Sequence, residues 1–325
     1  LPTRQPTTPA EHAVWEHWRR LRETKLESLY ANFYQIVKEH NPDLDVFHLP
    51  STGAAQSPLY GVNYYNVTKH QDVSGIDGTC CAINREWLYL DLTIKRYLTS
   101  EWGGLYNESP VTYVNSKLWE ELSGGALGFE HHVWSFGSDS VSFVDTLDMP
   151  RVYGHLMRMT LRDARKIDHV VLDGKRADPE IGILFSQTAR VHDQGWGWAG
   201  EKTVSTHIQT VSNYYELFLN YHRSARVIAE EMFLEDKMPP VAVLFVPQAR
   251  FLAPEVQAKL LDYAHSGGIV VTEGRIGEFD NFGQPSDAIF QALNIVPAFA
   301  DTRTLTVDSV DLALPEADSV FTPAG

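Results

Sequence analysis

Residues 96–136 read RYLTSEWGGLYNESPVTYVNSKLWEELSGGALGFEHHVWSF, and this stretch decides the predicted fold. Arg96–Ser100 is a short β-rich run followed at once by a carboxylate, Glu101. Apolar residues spaced by three and four then predict a helix over Pro110–Leu122, and Ala126–Trp134 follows as a second strand. A carboxylate and a tryptophan at two strand ends, with a helix between, are typical of a (β/α) barrel, whose catalytic groups lie at the carboxyl ends of its strands. An ordinary βαβ unit with a surface glutamate is the alternative.

The chain upstream of this stretch predicts a long helix and two further strands. Thr8 to Glu11 form a capping box, and apolar residues at helical spacing extend the helix over Pro9–His40. We expect the tryptophans on its apolar stripe to be packing residues rather than ligand contacts. The stripe consists of Trp15, Trp18, Leu21, Leu29, Phe33 and Ile36. Leu44–Leu49 and Asp72–Ile76 are predicted strands, and a helix is predicted over Arg85–Lys95.

The strand count bears directly on the type of fold. A further helix is predicted from about Arg151 to Val171, which leaves only four predicted strands before the pattern changes. A complete barrel of this class has eight strands. Residues 1–174 are therefore interpreted as the C-terminal half of a (β/α) barrel, or else the strand count is wrong. Half a barrel alone would have two open edges and an unfilled interior.

Beyond a linker over Asp173–Pro179, the pattern predicts a doubly wound, flavodoxin-like or amidotransferase-like α/β domain over residues 175–300. The predicted strands are Ile181–Phe185, Ala225–Ala229, Val241–Val246 and Ile269–Thr272, and the predicted helices are about Val204–Tyr221 and Pro254–His265. The last two strands are continuous apolar runs, as expected for a sheet covered on both faces. Residues 301–325 alternate apolar and polar side chains and are predicted to begin a truncated β segment.

The composition describes an ordinary soluble globular protein, with 43% hydrophobic and 21% charged residues among 325. A net charge of −15 without any basic run argues against nucleic acid or an anionic membrane as a partner. No apolar stretch approaches the length of a transmembrane helix. The N-terminus lacks an initiator methionine and the apolar region of a signal peptide, so the chain looks processed or cut from a longer one. The compartment stays open.

Most motifs for metal, cofactor or nucleophile chemistry are missing from the sequence. Cys80 and Cys81 are adjacent, which offers neither a disulfide framework nor a zinc site. His131 and His132 would point to opposite faces of a strand, so no metal site is predicted there. The second domain contains no glycine-rich nucleotide loop and no cysteine for amidotransferase chemistry. No cofactor is expected, and the second domain is predicted to be non-catalytic.

The carboxylates remain as candidates for glycoside hydrolysis, which requires two of them at a fixed separation. Glu101 lies at a predicted strand end and is the favoured nucleophile, while Trp134 is a candidate platform for a sugar ring. Glu108 takes the role if the strand is instead Gly104–Asn107. Glu101 is preferred because it leaves a loop of normal length before the helix at Pro110. Either carboxylate could also be a solvated loop residue.

Three segments together resemble the family 42 β-galactosidases and their clan A relatives. They are GGALGFEHHVWSF at 124–136, PVAVLFVP at 240–247 and LLDYAHSGGIVVTEG at 260–274. The resemblance runs from the helix at Pro9 to about Ile295. It implies a retaining glycosidase with Glu101 as nucleophile and with Trp134, His131 and Trp102 lining the sugar subsite. It also implies an amidotransferase-like second domain that lacks its triad and mediates assembly of a homotrimer.

The sequence departs from the family's pattern in two respects. The family's acid/base lies at the end of the fourth barrel strand, and no position here matches it. The family's zinc-binding cysteines are also not seen. If the other half of the barrel was lost, the chain has a nucleophile without its acid and should be a poor catalyst. If another chain supplies the acid, the active site is assembled between chains.

Two hypotheses therefore stand side by side. One is a retaining, β-galactosidase-like enzyme with a carbohydrate substrate, and the other is a non-catalytic carbohydrate-binding or assembly protein. A third, a nucleotide-binding α/β protein, would need a phosphate loop that the sequence lacks.

Overall fold

A computed structural model describes part of the chain, and the chain divides into two compact units. The described residues are 6–47, 62–77, 97–100, 119, 122, 126–129, 152–173, 178–192, 206–293, 295–298, 304–307, 310–313 and 320–323. One unit comprises Leu1–Arg20 with Asp178–Gly325, and the other comprises Leu21–Ala177. The first turns of the N-terminal helix thus group with the C-terminal unit. The domain ranges 1–174, 175–300 and 301–325 remain predictions.

The N-terminal helix α1 spans Pro9–His40, as predicted. Its capping box is formed, because the backbone N–H of Glu11 donates to Thr8 Oγ1 at 3.3 Å and the N–H of Thr8 donates to Glu11 Oε2 at 3.2 Å. Trp15 is fully buried, as expected of a packing residue. Farther along the same stripe the apolar side chains are 47% to 61% exposed, namely Leu21, Leu29, Phe33 and Ile36. The apolar stripe and the buried face of α1 therefore coincide only near Trp15.

The unit Leu21–Ala177 contains a three-stranded parallel sheet in the order β1-β2-β3. The strands are β1 (Ser74–Asp77), β2 (Tyr97–Ser100) and β3 (Ala126–Phe129). The two strands expected in the stretch 96–136 are therefore present and parallel. Of the helix predicted between them, only Trp119 and Leu122 are described, and both are helical. The unit also contains helix α2 at Tyr64–Thr68, which the sequence did not predict.

Two predicted elements of this unit differ from the structure. Leu44–Phe47 is irregular rather than a strand, because side chains bind part of its backbone. Asp72 Oδ2 accepts from the N–H of Val46 at 2.9 Å, and Lys38 Nζ donates to Leu44 O at 2.7 Å. The helix predicted from about Arg151 is interrupted by a 3₁₀ turn just before Asp168, whose carboxylate accepts from a neighbouring backbone N–H and so competes with helical bonding. The resulting helices are α3 (Val152–Ala164) and α4 (Asp168–Asp173).

The other unit is built on a four-stranded parallel sheet in the order β5-β4-β6-β7. The strands are β4 (Ile181–Phe185), β5 (Ala225–Ala229), β6 (Val243–Pro247) and β7 (Ile269–Glu273). The helices in chain order are α5 (Gln187–His192), α6 (Thr206–Asn220), α7 (Glu230–Leu234), α8 (Pro254–His265) and α9 (Ala288–Ala292). Continuous burial along β4 fits a central strand. β7 was expected to be covered on both faces, but it lies at the edge of this sheet, and Ile269 is 56% exposed.

The C-terminal stretch forms two antiparallel strand pairs. β8 (Ile295–Ala298) pairs with β11 (Val320–Pro323), and β9 (Thr304–Val307) pairs with β10 (Val310–Ala313). Three of these strands lie where alternation along residues 301–325 predicted β structure.

Candidate functional site

The predicted catalytic stretch begins at the carboxyl edge of the three-stranded sheet. Because the strands are parallel, their carboxyl ends meet at one edge, where Asp77 is paired with Ser100 and Thr99 with Phe129. Ser100 is the last residue of β2. The predicted site residues Glu101, Trp102, Glu108, His131 and Trp134 all lie outside the described residues. Their roles therefore stay predictions.

The C-terminal unit has a buried polar centre at the carboxyl ends of its own strands. In the sheet, β4 lies between β5 and β6. The chain runs from β4 to β5 on one side and then crosses to β6 on the other side, so the direction of the crossovers changes between β4 and β6. In open α/β sheets this switch point is the usual place for a ligand. The described polar side chains at this edge, beginning with Ser186 directly after β4, are buried.

Glu230 joins the ends of β4 and β5. Its carboxylate accepts from Ser186 Oγ at 2.6 Å, from the N–H of Thr188 at 2.9 Å and from Thr188 Oγ1 at 3.0 Å. All three residues are at most 5% exposed. Burial raises the pKa of Glu230, while these hydrogen bonds act in the opposite direction. Ser186 Oγ also accepts from the N–H of Ala189 at 2.9 Å, so the same hydroxyl holds the first turn of α5.

His207 joins the ends of β4 and β6. Its Nδ1–H donates to Pro247 O at 2.7 Å, and its Nε2 accepts from the backbone N–H of Ser186 at 2.9 Å. These bonds fix the neutral Nδ1–H tautomer, because Nε2 faces a donor. His207 is fully buried, and its ring lies 5.9 Å from that of Phe185. The imidazole thus bridges the two diverging strands.

The first turns of α1 add a second polar cluster to the same unit. His12 Nδ1 lies 2.7 Å from His192 Nδ1, and His192 Nε2 lies 3.2 Å from Glu16 Oε2. Arg19 binds both oxygens of Glu16 at 2.8 Å, and Asn281 Nδ2 donates to the same carboxylate at 3.3 Å. All five side chains are buried.

Electrostatics divide this cluster into a charged half and a neutral half. Burial would raise the pKa of Glu16, but hydrogen bonds from His192 and Arg19 hold it well below its usual range, so the carboxylate is ionised. Burial lowers the pKa of His192 more strongly than Glu16 raises it. Burial and the nearby His192 lower the pKa of His12 to about 4. Both imidazoles are therefore neutral near neutral pH.

The described polar groups of this unit are arranged for structure rather than for nucleophilic chemistry. Ser186 Oγ donates to Glu230, whereas His207 Nε2 contacts the backbone N–H of Ser186 and not its hydroxyl. A nucleophilic serine needs its hydroxyl group hydrogen-bonded to the side chain that acts as the general base. Within the described ranges no group of three or more His, Cys, Asp or Glu side chains could hold a metal ion. In the same part of the chain, no helix is long and apolar enough to cross a membrane.

Sequence reasoning missed these polar clusters. The buried face of a helix is predicted from the spacing of its apolar residues. The buried face of α1 instead carries polar residues at helical spacing, namely His12, Glu16, Arg19 and Glu23. That spacing of polar residues was the one available signal. Their partner His192 is 180 residues from His12 in the chain, and no local pattern connects them.

Together the two units define a class of fold: parallel-sheet α/β, with a three-stranded sheet in one unit and a four-stranded sheet in the other. Residues 231–322 match the family "GLMA-like, second domain". No curated protein sequence matches the chain. The matched family covers part of the C-terminal unit and begins just after β5.

Solved structures of other proteins are similar in fold to nearly the whole chain. A catalytic mutant of Gan42B, a GH42 β-galactosidase from G. stearothermophilus, matches 99% of this chain with a TM-score of 0.73 at 16% identity, over 52% of its own length. The cold-adapted β-galactosidase from Rahnella sp. R3 matches 98% of this chain with a TM-score of 0.67 at 15% identity, over 51% of its length. A GH42 exo-carrageenase from Bacteroides ovatus matches 84% with a TM-score of 0.64 at 10% identity, over 41% of its length.

The expected resemblance to the family 42 β-galactosidases is thus confirmed as a likeness of fold. The chain spans about half the length of these solved structures or less. At identities this low the likeness carries the fold and not the chemistry.

Proposed function

We propose that the protein is a retaining, β-galactosidase-like glycoside hydrolase whose three-stranded sheet is part of a (β/α) barrel. The observation that carries the proposal is the end of β2 at Ser100, one residue before Glu101, at the edge where β1 and β3 also end. Barrel enzymes hold their catalytic groups at this edge. A strand ending at Ser100 supports Glu101 as the nucleophile over Glu108.

The sugar subsite is proposed to include Trp102, His131 and Trp134. The first follows the nucleophile in the chain, and the other two follow the end of β3 at Phe129. The nucleophile and the acid of a retaining enzyme lie about 5 Å apart. Of the three solved structures named above, two are β-galactosidases and one is an exo-carrageenase, which supports a terminal β-galactosyl or related sugar as substrate.

The exposed stripe on α1 supports a larger assembly around the catalytic unit. Leu29, Phe33 and Ile36 recur at steps of four and three and are 47% to 61% exposed. An apolar face of this kind is usually covered in a (β/α) barrel by neighbouring β/α units. Such units, and with them the acid/base, are proposed to come from a longer form of this chain or from another chain.

The second unit is proposed to be an amidotransferase-like, doubly wound domain over residues 175–300 that mediates assembly into a homotrimer. The half-exposed edge strand β7 supports this role, since unpaired apolar edges favour association. The polar centre around Glu230 and His207 supports a structural domain, because its side chains are engaged in hydrogen bonds with the protein's own groups.

The alternative is a non-catalytic carbohydrate-binding or assembly protein with the same fold. It is favoured by one observation, that no position of this sequence matches the family's acid/base. A test must therefore separate a missing acid from a missing nucleophile.

A dinitrophenyl β-galactoside makes that separation, because its leaving group departs without protonation. Such a substrate requires the nucleophile but not the acid. We expect the protein to release dinitrophenol and to leave alkyl galactosides largely uncut. Glu101→Gln should lower the rate by about a thousandfold or more, whereas the matched change Glu108→Gln should leave it near the original value. Galactose binding without any release of dinitrophenol would favour the non-catalytic alternative.

A further inference from the structure

The contact between His12 and His192 links two elements that are far apart in the chain. His12 lies in the first turn of α1, and His192 is the last residue of α5. Their Nδ1 atoms are 2.7 Å apart, and the two rings are 7% and 1% exposed. Both rings also lie against Phe251, with centroids 5.0 and 5.3 Å from its ring. Little water can therefore reach the contact.

The positions of the ring protons determine which histidine donates the hydrogen bond in this contact. The neutral His192 donates its Nε2–H to the ionised Glu16, so its Nδ1 carries only a lone pair. The hydrogen bond between the rings therefore uses the Nδ1–H of His12 as donor. If His192 alone gained a proton, His12 could keep the bond only by carrying its own proton on Nε2 and accepting at Nδ1. If both rings were protonated, two N–H groups would face each other at 2.7 Å. The closed pair therefore excludes the doubly protonated form.

The charged groups around the pair do not remove this constraint. Glu11 and Glu16 are the acidic neighbours on α1, and Asp280 faces His192 from the loop after β7. Arg19, on α1, acts against protonation of His192. Burial is the largest effect on both rings, and it favours their neutral forms.

The same region holds the start of α1 tightly through neutral contacts. Trp15 is fully buried and donates its Nε1–H to Val191 O at 3.0 Å, directly beside His192 in the chain. Gly283 approaches His12 so closely that an added Cβ would lie 2.8 Å from the imidazole. A repulsive histidine pair in this packing would be relieved most directly by moving α1 away.

We propose that His12 and His192 form an acid-released latch that holds the segment Pro9–Arg20 of α1 on the α/β unit. At neutral pH the neutral pair closes the latch, and protons taken up by the detached histidines open it. The opening constant is the ratio of the detached to the attached form of this segment. Each histidine that binds a proton only in the detached form raises this constant about tenfold for every unit by which the pH falls. For His12 this holds from about pH 6.5, its ordinary pKa, down to about pH 4, its pKa in the closed state.

Hydrogen exchange of the full 325-residue chain tests the latch directly. Protection of residues 9–20 is measured at several pH values from about 7 to 4.5, after correction for the intrinsic exchange rate. The opening constant of this segment should rise by about tenfold per pH unit, and by up to a hundredfold if both histidines take up protons. Helix α8, over Pro254–His265, should stay more strongly protected than residues 9–20 at every pH, because the latch opens without unfolding of the α/β unit.

Variants separate the histidines from general acid effects. In His12→Asn the amide can still donate to His192 Nδ1, and in His192→Gln the amide can still donate to Glu16, but neither amide titrates. The double variant should keep residues 9–20 equally protected at all these pH values, whereas the exposed control His265→Asn should behave as the original protein. Protection of residues 9–20 that does not change with pH in the original protein would overturn the proposal. Unchanged pH dependence in the double variant, or equal opening constants for residues 9–20 and for α8, would also overturn it.

Discussion

His207 and Ser186 form a hydrogen bond at the switch point of the four-stranded sheet. The backbone N–H of Ser186 donates to His207 Nε2 at 2.9 Å, while the opposite ring nitrogen donates to Pro247 O at 2.7 Å. One imidazole thereby joins the ends of β4 and β6, the two strands between which the crossovers diverge. The bridge supports the proposal that this unit is a structural domain.

Replacing His207 should test how much the bridge stabilises the fold. His207→Ala leaves a buried N–H and a buried carbonyl without their partner and opens a cavity, which we expect to cost about 2–4 kcal/mol of unfolding free energy. Urea denaturation measures this cost. The exposed residue His265 provides the control, since His265→Ala should change the unfolding free energy by less than about 0.5 kcal/mol. Equal effects of the two substitutions would contradict the assigned role.

Glu230 and Ser186 should be energetically coupled, because the carboxylate accepts from the hydroxyl at 2.6 Å. We expect Glu230→Ala to cost about 2–4 kcal/mol, since it strands the buried N–H of Thr188 as well. A double-mutant cycle with Ser186→Ala should give a coupling energy of about 0.5–3 kcal/mol. A second cycle, which combines a substitution of the exposed carboxylate Asp262 with Ser186→Ala, serves as the control. Additive effects for Glu230 and Ser186 would show that the observed bond contributes nothing.

Two glycines offer a matched comparison of backbone strain and steric contact. Gly283 has φ +74°, and an added Cβ would lie 2.8 Å from the ring of His12; Gly267 has φ +97° and open space around it. Gly267→Ala should therefore cost only the strain of a left-handed backbone, about 1 kcal/mol. Gly283→Ala should cost about 1–3 kcal/mol more, because the methyl group collides with His12. Thermal or urea unfolding distinguishes them, and equal losses would mean that the ring moves aside freely.

The unfolding free energy should decrease when the pH falls below about 6.5, the ordinary pKa of histidine. Burial lowers the folded-state pKa of His12 and His192, so their contribution is full above that pH and is lost as the unfolded chain binds protons. The pKa of Glu16 is also lowered, so its contribution is present above about pH 4.5 and declines below it. Urea unfolding at several pH values measures the slope. His12→Asn combined with His192→Gln should flatten the slope between about pH 6.5 and 4.5, and an unchanged slope would assign it to other groups.

The proposed trimer should depend on the exposed edge strand β7. Ile269→Lys places a charge on this half-exposed apolar strand, and we expect it to release monomers from an assembly of three 36.7-kDa chains. Leu234 is similarly exposed in the same unit, and Leu234→Lys should leave the assembly intact. Light scattering after size exclusion measures the mass. A monomeric original protein would count against the trimer itself.

Elements with strong local signals could be predicted from the sequence. Helix α1 and helix α8 have the predicted bounds, because capping residues, proline and glycine mark their ends. Strands β4 and β5 are also where the apolar runs placed them. The strand predicted from Leu44 failed because side chains of Lys38 and Asp72 bind its backbone, a contact that no local pattern reveals.

The candidate site could be predicted only in part, for a similar reason. A carboxylate directly after a β-rich run is visible in the sequence, and β2 does end just before Glu101. The bridge at His207 and the pair at His12 and His192 depend instead on segments that meet only in the folded chain. Buried polar clusters carry no periodic apolar signal, so sequence patterns pass over them.

Trapping of the covalent intermediate tests the proposed chemistry most directly. The protein is incubated with an activated 2-deoxy-2-fluoro-galactoside, its intact mass is measured, and the labelled peptide is mapped. We expect one fluorogalactosyl group per chain, attached to Glu101, and no label in Glu101→Gln. A label on Glu108 would identify Glu108 as the nucleophile and leave the proposed reaction unchanged. Absence of any label, under conditions in which the fluorosugar is shown to bind, would contradict the assignment of the protein as a retaining galactosidase.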